Sequence, residues 1–364
     1  MIRKILLAIA VLAAAGIVVL WWFTRPLPVL TVTSWAGAYS QAQDRAMMRP
    51  FASARRVDTR LALWDGELKD VAQAVQTGTY KGDVIDFELP RAIEACRRGL
   101  LEKIDPESLP PGDNGESAAK DFVPGAIGPC WVGSIVYSQV IVAAPRRFDT
   151  PPATLADFFD TQKFPGRRAL SRASPKFNLE MALLADGIAP ADVYKTLSTP
   201  EGLDRAFAKL AGLHPVWAHH SRDALEWVRN GQAVMASALN GDVFDARKDF
   251  TPDVIWDRQM YELDVFAIPK GDPKKDRALD FIRFATGTAP LARTASWLPY
   301  GPARRSAWSR VGDNPELKIA MTPFQPTAHF ATAFAVDDGW WQGHMAALMP
   351  RWQAFVMAQD AQSP

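Results

Sequence analysis

Between residues 29 and 99 the chain runs through strand, turn and helix three times in succession, and no other feature limits its fold as much. Residues 29–33 are β-branched and apolar, the pattern of a buried strand. Ser34 to Ala38 is a small-residue turn carrying one indole, Trp35, and Tyr39, Ala42, Ala46 and Met47 then recur on one helical face. Val57, Thr59, Leu61 and Leu63 alternate as in a second strand, followed by a helical stripe of Leu68, Val71, Ala72 and Val75 that stops at Gly78. Residues 82–90 read as a third strand, and residues 91–98 as a short helix closed by Gly99. This rhythm predicts a mostly parallel sheet whose right-handed crossovers set all three strand ends on one side. Ligands of open α/β sheets bind at that edge, where helix N-termini add free N–H groups.

The N-terminus carries the strongest compositional signal. Arg3 and Lys4 precede an uncharged apolar run over residues 5–23, followed by Arg25 and Pro26. Nineteen helical residues span roughly 28 Å, close to a bilayer's hydrocarbon core, and exceed the usual signal-peptide core of about 7–15 residues. Trp21 and Trp22 suit the far membrane interface, and Arg3 and Lys4 the cytoplasmic side. An uncleaved anchor to the inner membrane is the preferred reading and a cleaved signal the alternative. Either places the remainder in the periplasm. Cys96 and Cys130 then face an oxidising compartment and can pair, closing a loop of about 35 residues worth roughly 3.5–4 kcal/mol in the loop-entropy view. Two separate buried thiols are the alternative.

Beyond residue 100 the pattern stays α/β. Residues 132–144 form an apolar run too long for one ordinary strand, so they read as two strands or as one crossing between lobes. Helical stretches follow at 154–160, 178–185, 191–197 and 201–210, and Ser221 is read as capping a helix through Arg229. Residues 233–239 are a strand, Asn240-Gly241 opens a helix, residues 254–256 make a short strand and 263–269 a second crossing strand. Residues 274–286 and the Trp-rich stretch 338–358 are amphipathic helices, the latter expected to dock on the body. The 364 residues suit about two domains. A net charge of +1 without a basic run excludes a nucleic-acid partner. Paired basics such as Arg55-Arg56 and Arg304-Arg305 read as solvated surface charge.

No GxSxG, HExxH, Walker loop or GxGxxG occurs, and two cysteines cannot build a thiolate zinc site. His219-His220 reads as a solvated loop, so neither metal nor cofactor is expected. Two carboxylate pairs do stand out. Asp86 with Glu88, and Glu262 with Asp264, lie two apart on strands and so share a face. Such acids could perform acid–base work in a glycosidase. Yet Trp35, Tyr39 and Tyr261 stand at the same strand ends, and rings with carboxylates make a box for an alkylammonium, each cation–π contact worth roughly 0.5–2 kcal/mol.

The order and spacing of several motifs carry a resemblance over nearly everything after residue 28. They are Ser34-Trp35-Ala36-Gly37-Ala38-Tyr39, Gly82-Asp83-Val84-Ile85-Asp86, Gly99-Leu100-Leu101-Glu102-Lys103-Ile104-Asp105, Val132-Gly133-Ser134-Ile135-Val136, Asn240-Gly241, Leu263-Asp264-Val265-Phe266-Ala267-Ile268-Pro269-Lys270-Gly271 and Pro299-Tyr300-Gly301-Pro302. The chain resembles the periplasmic solute-binding proteins of ABC importers, specifically their spermidine/putrescine-type branch. That resemblance implies a type II periplasmic-binding-protein fold with no catalytic residues. Two α/β lobes would close over one ligand, and a membrane permease would be the partner. Lobe 1 is expected over 29–139 plus 265–300, lobe 2 over 140–264 plus 301–364, with residues 1–28 as signal or anchor and the receptor acting as a monomer. In the family an Asp before the Ala-Ile-Pro strand grips an amine, and Asp264 matches it, while Trp35 falls at the first-strand aromatic. Second-lobe acids that hold a polyamine's other amine align near Ser174 and Phe177, neither acidic, and the stacking Trp is Leu239. A small cationic amine or amino-acid-like solute is therefore expected. Trp35, Ala36 and Tyr39 would stack or line the cleft, Asp86, Glu88, Glu262 and Asp264 would meet cationic nitrogen, and Ser134, Asn240 and Tyr300 would complete the contacts. A membrane-anchored hydrolase using the paired acids, and a receptor-derived scaffold that binds a protein, are the alternatives.

Overall fold

The computed structural model describes residues 25–79 and 82–361. The expected anchor at 5–23 lies outside them, and among the described residues no helix is long and apolar enough to cross a membrane.

The three opening units form as their patterns require. β1 (Val29–Ser34), β2 (Asp58–Leu63) and β3 (Val84–Glu88) pair in parallel with β1 in the middle. β2 is the edge strand, so Leu61 and Leu63, read as inward-facing, are exposed while Val57 just before it is buried. The helix after β1 runs from Ala38 to Arg55 through a π-helical turn, Asp44–Met48. Pro50 has no N–H to give Ala46, and the Ala46 carbonyl instead accepts from the Arg293 guanidinium at 3.2 and 3.4 Å.

Two long strands occupy the centre. β4 (Trp131–Ala143) is one strand, and β8 (Asp253–Ala267) fuses the two separate strands expected at 254–256 and 263–269. With β5 (Arg168–Ser171), β6 (Val216–Ala218) and β7 (Met235–Leu239) the sheet order is β2-β1-β3-β8-β4-β7-β5-β6. β8 is antiparallel to β3 and to β4, β4 is antiparallel to β7, and β5 is parallel to both β6 and β7. The short β9 (Gly301–Pro302) and β10 (Phe334–Ala335) add to β4 and β8. Each end of the sheet is thus a parallel α/β unit, and only β4 and β8 run through both.

Separate cores support the two lobes. Leu30, Phe51, Phe87, Phe266 and Phe281 anchor the first, which also takes in Ala303, Ala307 and Trp308. Phe158, Phe164, Trp217 and Trp352 anchor the second. Trp352 belongs to the C-terminal helix Asp338–Asp360, which docks as its apolar residues predict. Cys96 and Cys130 are joined, tying the helix Leu89–Arg97 to the chain entering β4. Two readings need correction. Arg304 is fully buried, its guanidinium 3.4 Å from Asp121 and over the Phe122 ring, so it is not surface charge. The N-cap of the helix Ser221–Arg229 is His220, and Ser221 Oγ accepts instead from the Leu239 N–H at 2.6 Å.

Candidate ligand-binding site

The carboxyl ends of β1, β3 and β7 converge with the middles of β4 and β8 on a cavity of about 320 Å³. Its walls are Trp35, Ala36 and Tyr39 after β1, Glu88 at the end of β3, Ile135 and Tyr137 on β4, Asp264 on β8, residues 239–242 after β7, and Tyr300. Register explains the gathering. Glu88 lies opposite Asp264, Asp264 opposite Ile135, and Glu262 opposite Tyr137, and directly opposed residues share a sheet face. Gly37 makes the turn at the first wall with φ 94° and ψ −149°, a region closed to side chains. At the facing wall a Cβ on Gly241 would stand 2.5 Å from the Tyr300 hydroxyl, so glycine keeps that ring in place. A larger cavity of about 400 Å³ lies beside the edge strand, lined by Thr33, Leu63, Trp64, Val71, Ile85 and Pro269 among others, but it touches only lobe 1 and not the seam.

The cavity walls and the layer beneath them hold buried polar atoms that the protein itself leaves unpaired. The Tyr39 hydroxyl is buried beside Asp86, Asp264 and Ser134, close enough to interact with them but without a well-formed hydrogen bond. Asp264 Oδ1, Asp86 Oδ1, Ser134 Oγ and Trp35 Nε1 are likewise buried without a protein partner. Native interiors keep few such groups, and a cluster of them points to a polar ligand. Burial first, then the charges of Asp86, Glu88 and Glu262, push the Asp264 carboxyl well above its ordinary range. Burial likewise raises Asp86 to about 7 against the hydrogen bonds it receives from Gln43 and Ser34. Glu88 opens to solvent at the strand end, yet the surrounding walls desolvate it enough to raise it as well. The Tyr39–Tyr300 rings meet edge-on at 6.1 Å, and Trp35 leans on Trp64 at 5.5 Å, so the aromatic walls are braced.

Of the residues singled out in the sequence, Trp35, Ala36, Tyr39, Glu88, Asn240, Asp264 and Tyr300 line this cavity. Four of the singled-out residues carry corrections. Asp86 and Ser134 are fully buried beneath the walls and do not line it. Asn240 uses its amide inside the protein, accepting from the Ser138 N–H at 3.0 Å and donating to the Pro299 carbonyl at 2.7 Å. Glu262 is held by the chain's own Lys176, whose ammonium also donates to Asp338 at 2.8 Å. Lys176 escaped the sequence reading, although it stands between the two positions, Ser174 and Phe177, where acids were sought. Tyr137 and Asp242 were also missed. Tyr137 could have been found, because it alternates with Ile135 on the strand that the motif around Ser134 begins.

Two α/β lobes joined by crossing strands, with rings and carboxylates at the seam, define a class of proteins that capture small solutes. The chain belongs to the bacterial extracellular solute-binding family, which it matches over residues 62–318. It is 33% identical over 330 residues, 90% of each chain, to the gamma-aminobutyric acid-binding protein of Pseudomonas aeruginosa. Among solved structures it resembles the periplasmic binding protein MotA of A. tumefaciens B6 in complex with glucopine. There the identity is 27%, the TM-score 0.68, and the match covers 90% of this chain and 99% of that one. It also resembles the Atu4243 GABA receptor, with 26% identity, a TM-score of 0.72 and coverage of 90% and 97%. These relatives are solute receptors and not enzymes, so the paired carboxylates are not read as catalytic.

Proposed function

We propose that the chain is the extracytoplasmic receptor of an ABC importer for a small solute bearing one primary ammonium, of the size and kind of an ω-amino acid. The observation that carries this reading is the pair of buried acceptors without a protein partner, Asp264 Oδ1 and the Tyr39 hydroxyl oxygen, beside a cavity of about 320 Å³. An ammonium entering there gains the carboxylates of Asp264 and Glu88 and the faces of Trp35 and Tyr39. It would also relieve the repulsion that now pushes Asp264 towards its protonated form. Relatives named for gamma-aminobutyric acid support a small amine over a long polyamine.

Capture proceeds by hinge closure across β4 and β8. Lobe 1 spans 29–139 and 265 to about 308, a division that follows the packing of Ala303 and Ala307, and lobe 2 takes 140–264 and the C-terminal helix. The solute favours the closed state through its contacts with both lobes, and a membrane permease reads that state in the periplasm. A thermal-shift screen of amines, amino acids and ω-amino acids tests this reading. Gamma-aminobutyric acid at 100 times its dissociation constant should add about 2.7 kcal/mol of stability. No stabilisation by any primary amine in the screen would discard it.

A further inference from the structure

Lys176 occupies, within the protein, a cage of the same chemistry that the cavity offers a ligand. Its ammonium is held by Glu262 and Asp338 and stands 5.5 Å over the Phe177 ring. Phe177 holds its backbone at φ 69°, a strained conformation for a bulky residue, and caps the helix that follows. The cage is buried, with the Lys176 side chain 14% exposed, Glu262 6% and Asp338 2%.

This cage lies directly behind the cavity wall. Tyr137 lines the cavity, and its hydroxyl donates to Glu262 at 3.3 Å from the register position opposite. Glu88, another wall residue, feels both Lys176 and Asp338. Along β8, Glu262 and Asp264 are two residues apart on one face, about 6.6 Å at the ~3.3 Å rise of a strand. A four-carbon chain spans that distance. A four-carbon solute with its ammonium on Asp264 is therefore long enough to bring its far end beside Glu262, which is already paired with Lys176.

We infer that Lys176 is a specificity-determining residue: its ammonium occupies the acid pair Glu262 and Asp338 behind the cleft wall, so no free acids remain there for a second amine and the receptor rejects diamines in favour of solutes with a single ammonium. The inference rests on the proposed amine site at Asp264. A second ammonium would find Glu262 and Asp338 already paired with Lys176, and would stand beside a like charge with no uncommitted carboxylate to offset its desolvation.

The test compares putrescine with 4-aminobutan-1-ol, two four-carbon amines that differ only at the far end, by titration calorimetry. In the unaltered protein the amino alcohol should bind at least tenfold more tightly, and equal or tighter putrescine binding would overturn the inference. In Lys176→Met, which leaves Glu262 and Asp338 without their cation, the putrescine-to-amino-alcohol affinity ratio should rise by roughly tenfold or more. An unchanged ratio in a variant with a native circular-dichroism spectrum would also overturn it. Should Lys176→Met not fold, the comparison in the unaltered protein decides alone. Should the unaltered protein bind no amine at all, the proposed function fails. The role of Lys176 is then judged by whether Lys176→Met acquires putrescine binding, and it falls if the variant does not.

Discussion

Asp264 faces two opposing demands. It is nearly inaccessible, with three other carboxylates pushing on it, so without a ligand it is driven to keep its proton. A bound ammonium reverses that balance, because the ionised carboxylate then makes a charge-assisted hydrogen bond out of reach of water. Asp264→Asn keeps the shape and removes the charge. We expect it to weaken amine binding by about an order of magnitude or more near neutral pH. The loss should shrink as the pH falls, because the raised native carboxyl then takes up its proton and is neutral too. Calorimetry at two pH values checks this, and an equal affinity for both proteins at the higher pH would remove Asp264 from the site. Neighbouring residues show why position alone did not disclose role. Asp86 belongs to the same strand face but is covered, receiving hydrogen bonds from Ser34 and Gln43 that tie β3 to the first helix. Glu262 is the same kind of acid two residues from Asp264, but the ammonium of Lys176, 86 positions earlier in the chain, donates to it. Contacts of that separation leave no local pattern in the sequence.

At the scale of elements, legibility followed periodicity. β1, β3, β7 and the helices after them were readable because apolar spacing and Gly stops mark both ends, and the cavity residues at their carboxyl ends came with them. The helix Thr288–Trp297 was not read. Gly287 and Pro290 break its pattern, although Pro in a first turn costs no hydrogen bond. β8 was split because its middle, residues 257–262, is polar. Of these, residues 260–262 pair with β4, Met260 and Tyr261 also with β10, and Gln259 donates to the carbonyls of Pro326 and His329, both at 2.8 Å. The Cys96–Cys130 link acts at this scale too, holding the helix Leu89–Arg97, whose preceding strand carries Glu88, to the start of β4. Replacing both cysteines by serine should cost about 2–4 kcal/mol of unfolding free energy, for a sequence separation of 34, measured by urea denaturation under non-reducing conditions. A variant as stable as the parent would show that packing around Cys130 alone fixes this junction.

Across the whole molecule, four buried acids set the response to pH. Burial raises Asp86 and Glu180 to about 7 and Glu262 to about 8, and raises Asp264 as well. In each case the folded state binds its proton more tightly than the unfolded chain, whose carboxyls titrate near 4. Between about pH 4 and 8 the folded protein therefore carries the greater number of protons, and stability falls as pH rises. The contribution is fully present below the unfolded value and is lost as pH climbs through 7 and 8. Glu102 has the opposite sign. Burial pushes it up, but the Gly271 N–H and the ammoniums of Lys275 and Lys270 bring it down to about 2, so its contribution is lost only as the pH falls below about 4. The two effects occupy different windows, which places the stability maximum of the ligand-free protein near pH 4–5. A bound amine favours the ionised form of Asp264 and its neighbours, so the stabilisation it adds should grow from about pH 6 to 8, with protons released on binding. Urea denaturation at about pH 5, 6, 7 and 8, with and without saturating gamma-aminobutyric acid, measures both slopes. Ligand-free stability that holds level or rises across that range would mean that water or rearrangement relieves these acids, and the strain at the seam would then not be what draws an ammonium into the cleft.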